Sequence, residues 1–475
     1  MGYSLIRDRM IHILSSLFAD KRNPRVIDLC SESLVEITKF IRDDDKGCIL
    51  TIVIIMAHDD SDEEARVLAT RLFNSLATII GRELCELYVV PQIASFADDP
   101  HSKVRKAVAG NFLNMCISVS ENTFKTKLLP VYQKLSKDSL WMVRKAAAEI
   151  IPKITALCDS NTISKTLLDI FRSFTNDNQK YVRIAAIEVL GQFINLLKKE
   201  DLNDSILDFY IKIVDEYYTN KDVNESDIIY HCAYNFPAVL YIYGKEKWSE
   251  LRNLYKKMAT DREYRVKRSI ASSIGEIANI IGPQLTETDI IPILEKLYLE
   301  EGDIQVLILK NIPTLLKNIP AEKRINYLDK LQKVTNPREK WRTRSDYSKI
   351  VSNYGSVFDE DTTYKQILPI AMQFCLDDVA QVRFKASKYI SRIILHLISN
   401  GPHVETTLKV IEAFAYSVNY HYRQLFVRMC TNLFEDKEVC EKYIIGYLTK
   451  LANDKVVNVR ISLSKVLSKV FKNKE

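Results

Sequence analysis

Along most of the chain, apolar residues recur every three or four positions, as on one face of a helix, in stretches separated by short polar turns. "KLLPVYQKLSK", Lys127 to Lys137, is one such amphipathic stretch. A polar turn and a second helix-forming run follow it, "DSLWMVRKAAAEIIPKI" from Asp138 to Ile154. The same frame stands one repeat earlier as "DPHSKVRKAVAGNFLNM" (Asp99 to Met115) and one repeat later, at an equal distance, as "DNQKYVRIAAIEVLGQF" (Asp177 to Phe193). In each, Asp opens the turn, a Val-Arg pair ends six residues on, and small and aliphatic residues continue. With that Arg as a marker, the frame recurs at Arg66, Arg105, Arg144, Arg183, Lys267, Arg344, Arg383, Arg423 and Arg460. The steps between successive markers are nearly constant. The exceptions, Arg183 to Lys267 and Lys267 to Arg344, each span about two periods. Asp lies six positions before the marker at Asp60, Asp99, Asp138, Asp177, Asp261, Asp377 and Asp454.

A period of about 40 with two helices per unit is the signature of HEAT or armadillo repeats. The expected fold is therefore all-α, a solenoid of about twelve helical hairpins at that period. A single hairpin cannot bury both of its faces, and stacking supplies the missing neighbours. Pro recurs at a fixed place ahead of the marker, at Pro91, Pro130 and Pro369, where it can start or kink the first helix. The Asp carboxylate is placed to accept from free N–H groups opening the second helix. That helix should bury Ala107, Ala146, Ala147, Ala185 and Ala186 for close packing. The recurring charges, Asp99 with Arg105, Asp138 with Arg144, Asp177 with Arg183, Asp377 with Arg383 and Asp454 with Arg460, read as a structural ladder of charge-assisted hydrogen bonds between turns.

Two stretches depart from the period. "YYTNKDVNESDIIYHCAYNFPAVLYIYG", Tyr217 to Gly244, lacks the marker and carries a polar insert, Asn220 to Asp227, expected to be an exposed loop. "EEGDIQVLILKNIP", from Glu300, has Leu307 where Arg is expected. The organisation read from these breaks is an N-terminal repeat block over 1–219, the insert at 220–227, and a C-terminal block over 228–475, forming one continuous solenoid.

Composition narrows the function. The chain has 475 residues, 47% hydrophobic, with 12 Gly and 13 Pro, too few for glycine-rich phosphate loops or for the turns of a parallel sheet. The longest apolar run, "CILTIVIIMA" from Cys48 to Ala57, is too short to span a bilayer and reads as a buried helix. The nine Cys form no C-x-x-C pair, and Cys116 and Cys158 within apolar stretches read as buried thiols. No membrane partner is expected, and the expected compartment is the cytoplasm, with the nucleus also open. The 67 basic and 61 acidic residues are interspersed, for a net charge of +6. The nearest approach to a basic stripe, "DREYRVKRS" from Asp261 to Ser269, lacks interleaved aromatics, so no nucleic-acid partner is expected. None of the seven His precedes a Glu, and no G-x-S-x-G elbow or two-metal ligand set occurs. The reading is a non-enzyme without metal or cofactor.

A long array without chemistry offers its turns to partners. Trp141 and Trp341 each stand three residues before a marker Arg, and Tyr420, His421 and Tyr422 crowd another turn. Exposed Trp, Tyr and Arg are common interface anchors. Packing against a neighbouring turn is the plainer account, favoured for Trp141 and balanced against exposure for Trp341.

The residues also resemble a known family. "KWRTRSDYSKI", "LDDVAQVRFKASKYI", "SVNYHYRQLF" and "LANDKVVNVRISLSKVL" are similar, in order, to the last repeats of the HEAT scaffolds of phosphatase-2A-type serine/threonine phosphatases. The segment from His231 to Ile293, opening "HCAYNFPAVLYIYGKEKW", resembles the regulatory-subunit-1 family of protein phosphatase 4, as do "SKVRKAVAGNF" and "DSLWMVRKAAAE". Where that family carries a long polar insertion, only 220–227 stands here. The resemblance implies a scaffold or regulatory subunit that binds the catalytic subunit of a phosphatase-4-like enzyme and directs it to substrates or to a further regulatory subunit. It places the catalytic subunit on C-terminal turns matching Trp341 and Arg342, then Asp378, Val379, Ala380 and Gln381, then Asn419, Tyr420, His421 and Tyr422, then Val456, Val457 and Asn458. The alternatives are a phosphatase 2A scaffold subunit and a HEAT-repeat transport or adaptor protein.

Overall fold

A computed structural model describes the chain except residues 1–2, 4–5, 19–22, 60–61, 199–201, 203, 220–225, 301, 333–338, 400, 435 and 473–475. The described residues are helical hairpins and contain no strand. They fall into two compact units, Met1–Lys247 and Trp248–Glu475.

In the first unit the second helices of successive hairpins pack in order. Glu63–Ile80 lies against Ser102–Gly110, then come Trp141–Thr155, Lys180–Glu188 and Ser226–Tyr243. In the second unit the order is Tyr264–Ile281, Asp303–Leu316, Trp341–Tyr354, Ala380–Ser399, Tyr420–Leu433 and Val457–Lys472. Each helix meets the one before and the one after, the nearest-neighbour packing of a HEAT-type α-solenoid.

Small residues set the spacing. Ala146, Ala147, Ala185 and Ala186 are buried, and Ala107 is only half-buried, with Val108 and Ala109 inside instead. Large rings fill the gaps and spend their polar ends on backbone. The Tyr132 hydroxyl donates to the Ala147 carbonyl at 2.9 Å and Tyr210 to Cys232 at 2.7 Å. The apolar Lys46–Ala57 helix buries Ile49, Leu50 and Val53 but leaves Cys48 and Ile55 exposed, so it is buried on one face only. Cys116 is buried, and Cys158, half-buried, has its thiol pushed up to about 11, first by burial.

The recurring prolines do not start the first helices. Pro91, Pro130 and Pro369 each stand two residues after the end of a π turn, at Cys85–Val89, Phe124–Leu128 and Thr363–Ile367. Pro has no N–H and its ring crowds the carbonyl four residues back, so a locally widened turn relieves it. Similar π turns at Ile163–Leu167 and Cys440–Ile444 have no Pro after them, so the proline accompanies the wide turn without creating it.

The recurring Asp and Arg bridge neighbouring hairpins. Arg66 donates from Nε to Asp99 at 2.7 Å, Arg105 to Asp138 at 2.6 Å and Arg144 to Asp177 at 2.6 Å. In the second unit Arg344 reaches Asp377 at 2.7 Å and Arg423 reaches Asp454 at 2.6 Å. In every case Nη2 makes a second bond to the other carboxylate oxygen, completing a bidentate fork. Each Arg thus pairs with the Asp of the following turn, while its Nη1 bonds back to carbonyls of its own turn, such as Asp59 for Arg66, Asp99 for Arg105 and Asp138 for Arg144. The Asp does not cap the second helix but closes the turn before it, as Asp138 does by accepting from the N–H of Leu140, the residue that precedes the helix, at 2.8 Å. Lys267 with Glu300, at 2.6 Å, makes the same crossing with different residue types. Among the described residues, Arg183, Arg383 and Arg460 bond only to carbonyls of their own turns. Asp60 lies outside the described residues.

Candidate partner-binding ridge

The turns singled out in the C-terminal repeats open the second helices of four successive hairpins of the second unit: Trp341–Tyr354, Ala380–Ser399, Tyr420–Leu433 and Val457–Lys472. The helices run side by side in one direction. Arg428 lies over the Phe384 ring at 3.8 Å, and four residues on Asn432 donates to the Lys388 carbonyl at 3.0 Å. Gln424 donates to the Asn458 carbonyl at 2.9 Å in the same sense. Their starting turns therefore share one edge, tied across by Arg344–Asp377 and Arg423–Asp454.

Trp341 is the first residue of its helix and 38% exposed. The Arg342 guanidinium sits over its ring at 4.7 Å, a cation–π contact that leaves both groups facing outward. Arg344, two residues on, turns inward to Asp377. Burial pushes the Asp377 carboxyl up, but the bonds from Arg344 and the Val379 N–H hold it below the usual carboxylate range. Arg338, six residues before Arg344, lies outside the described residues.

In the next turn Asp378, Ala380 and Gln381 are exposed and Val379 is half-buried. In the third, the Asn419 side chain is occupied as the helix cap, accepting from the His421 N–H at 3.0 Å. The Tyr420 and His421 rings lie tilted against each other with centroids 4.0 Å apart, and Tyr422 leans inward on Phe414 at 5.5 Å. In the fourth, Val457 is 54% exposed, Asn458 is exposed, and the Val456 N–H donates to Asp454. Sequence reasoning missed the most exposed apolar residue of this edge. Val418 is 100% exposed, and Leu376 is also exposed beside the second turn. A lone valine in a polar turn carries no periodic signal. In the first unit Trp141 differs from Trp341, because it stacks on Tyr181 of the following turn at 4.9 Å.

Such a surface can hold a protein partner by apolar and aromatic contact with a guanidinium at one end. Among the described residues no group of His, Cys, Asp and Glu is placed to hold a metal ion, and no helix is long and apolar enough to cross a membrane.

Two family models match the chain, protein phosphatase 4 regulatory subunit 1 middle domain over residues 232–334 and PPP2R1A-like HEAT repeat over residues 121–198. Serine/threonine-protein phosphatase 4 regulatory subunit 1 of Rattus norvegicus is 31% identical over 277 residues, covering 55% of this chain and 29% of that protein. Regulatory subunit 4 of the same phosphatase in Homo sapiens is 25% identical over 260 residues, covering 50% of this chain and 29% of its own length. The chain thus spans under a third of the length of these curated relatives. Yeast importin-beta (Kap95p) superposes with a TM-score of 0.64 at 14% identity, over 98% of this chain and 63% of that one, a likeness of fold alone. The chain is thus an α-solenoid of HEAT type, similar over part of its length to regulatory subunit 1 of serine/threonine-protein phosphatase 4.

Proposed function

We propose that the protein is a non-catalytic regulatory subunit that holds the catalytic subunit of a phosphatase-4-like serine/threonine phosphatase and presents substrates or a further subunit to it. The observation that carries this reading is the outward-facing Trp341–Arg342 pair, on an edge whose other turns repeat beside it in the part of the chain that resembles phosphatase scaffolds. An indole and a guanidinium together supply apolar area and a forked donor, the make-up of an interface anchor.

The test is co-purification. A Trp341→Ala, Arg342→Glu variant should keep its melting temperature and lose the catalytic subunit. Truncation at a hot spot costs about 2 kcal/mol or more, roughly a thirtyfold loss of affinity. Full retention of phosphatase by the folded variant would remove this edge from consideration. A phosphatase 2A scaffold role draws support from the match over residues 121–198. The identity of the co-purified catalytic subunit decides between the two.

A further inference from the structure

The last three second helices, Ala380–Ser399, Tyr420–Leu433 and Val457–Lys472, carry Lys and Arg throughout and not one Asp or Glu. In a chain with nearly equal numbers of acidic and basic residues this is a local departure, and the three helices are packed neighbours. Between them lies an open groove of about 370 Å³, lined by Lys388, Arg428, Lys465 and Lys469 with Phe384 and Ile461, and by no carboxylate. The neutral polar groups in it satisfy one another. Gln424 donates to the Asn458 carbonyl and to the Ser462 hydroxyl at 3.1 Å. One of the cations is not so satisfied. Arg428 is half-buried on Phe384, and its Nε is buried with no hydrogen-bond partner. Burial pushes its guanidinium below the usual arginine range. A cationic groove with an unpaired guanidinium leaves a cost that an anionic ligand would offset.

We infer that this groove binds an extended Asp/Glu-rich segment of a partner protein. Carboxylates spaced along a peptide match three ammonium groups and one guanidinium spread over three helices. A phosphate group concentrates its charge and favours clustered forks, and only one Arg is present. Single-stranded nucleic acid needs exposed aromatic platforms, and the one ring here is already covered by Arg428. The groove adjoins the starting turns and shares Asn458 with them, but its cations lie two helical turns further along their helices, and its test needs no phosphatase.

The experiment is fluorescence anisotropy with the purified full chain and a labelled peptide of alternating Glu and Ser. Binding should weaken as salt rises. Lys465→Glu, Lys469→Glu, both exposed, should keep the melting temperature and weaken binding by about tenfold or more. Lys437→Glu, Lys442→Glu, the same charge change on the first helix of the last hairpin, should leave it unchanged. Equal weakening by both variants, or none by the first, would overturn the assignment. Tighter binding of a phosphoserine peptide of equal charge, or of an oligonucleotide, would overturn the choice of ligand.

Discussion

Arg144 makes two kinds of bond at once. Its Nη1 closes its own turn on the Asp138 carbonyl at 2.7 Å, and its Nε and Nη2 fork onto Asp177 of the next turn at 2.6 and 2.8 Å. Both partners are mostly buried, with side chains 18% and 7% exposed, so this is no solvated surface pair. Removing one partner strands the other, at a cost of about 3 kcal/mol. Arg144→Ala should therefore lower stability at neutral pH by roughly that amount in chemical denaturation. The pH dependence has a definite sign. Burial pushes the Asp177 carboxyl up, but Arg144 and the Gln179 N–H hold it below the usual range. A depressed folded-state value stabilises the protein above the unfolded value, about 3.9, and that contribution is lost as pH falls through the folded value. The stability gap between wild type and Arg144→Ala should accordingly narrow on acidification below about pH 4. A gap that stayed constant to about pH 3 or below would mean that the pair contributes through shape and not charge.

At the scale of helices, the Asp/Arg frame was legible because it recurs at a fixed period and uses two residue types. Its variants were less so. Lys267 holds a marker position, but its partner Glu300 stands where the frame has Asp, and Leu307 marks the break instead. Nor was Asn235 legible, inside "HCAYNFPAV". Its amide N–H groups donate to the Ile187 carbonyl at 2.7 Å and the His231 carbonyl at 2.9 Å, and its oxygen accepts from the Gly191 N–H at 3.0 Å. This stitches the break between the Lys180–Glu188 and Leu190–Ile194 helices to the next hairpin, across a separation that no local pattern marks. Asn311 repeats the device, donating to the Ala271 carbonyl at 3.2 Å and the Leu307 carbonyl at 2.9 Å. Gly191 leaves room for it, since a Cβ there would lie 2.5 Å from the Asn235 amide oxygen. Gly191→Ala should destabilise by about 2 kcal/mol through overpacking and the lost bond. Gly47→Ala, in a helix with nothing within 4 Å of the new Cβ, should be neutral or stabilising by up to about 1 kcal/mol. Urea midpoints of the two variants that moved in the same direction would show that the amide does not hold this packing. In sequence the insert at 220–227 reads as a loop. Residues 220–225 lie outside the described ones, and Ser226 and Asp227 already open a helix, as a polar pair at a helix start can.

At the scale of the molecule, the boundary after Lys247 falls where the 3-10 turn Lys245–Lys247 runs into Trp248–Ala259, the first helix of the next hairpin. The second unit then begins with Trp248, 2% exposed, whose indole N–H donates to Asp289 at 2.8 Å while Lys256 bonds the other oxygen of the same carboxylate. Those partners all lie within the unit, so its first residue is anchored from inside. Its second helices stack without interruption from Tyr264–Ile281 to Val457–Lys472, and both the Trp341 edge and the cationic groove fall inside that stack. In an array of nearest-neighbour contacts, stability is close to a sum over repeats and interfaces, so a block with its own run of interfaces can fold by itself. The 248–475 piece should therefore be helical and melt cooperatively. It should bind the phosphatase catalytic subunit within about threefold of the full chain, a difference of under about 1 kcal/mol. The 1–247 piece should fold and not bind. Circular dichroism melts and co-purification of the two pieces are the measurements. A 248–475 piece that folds without binding would place the partner's anchors N-terminal to Trp248. One that melts without a cooperative transition would show that the array depends on the hairpins before it.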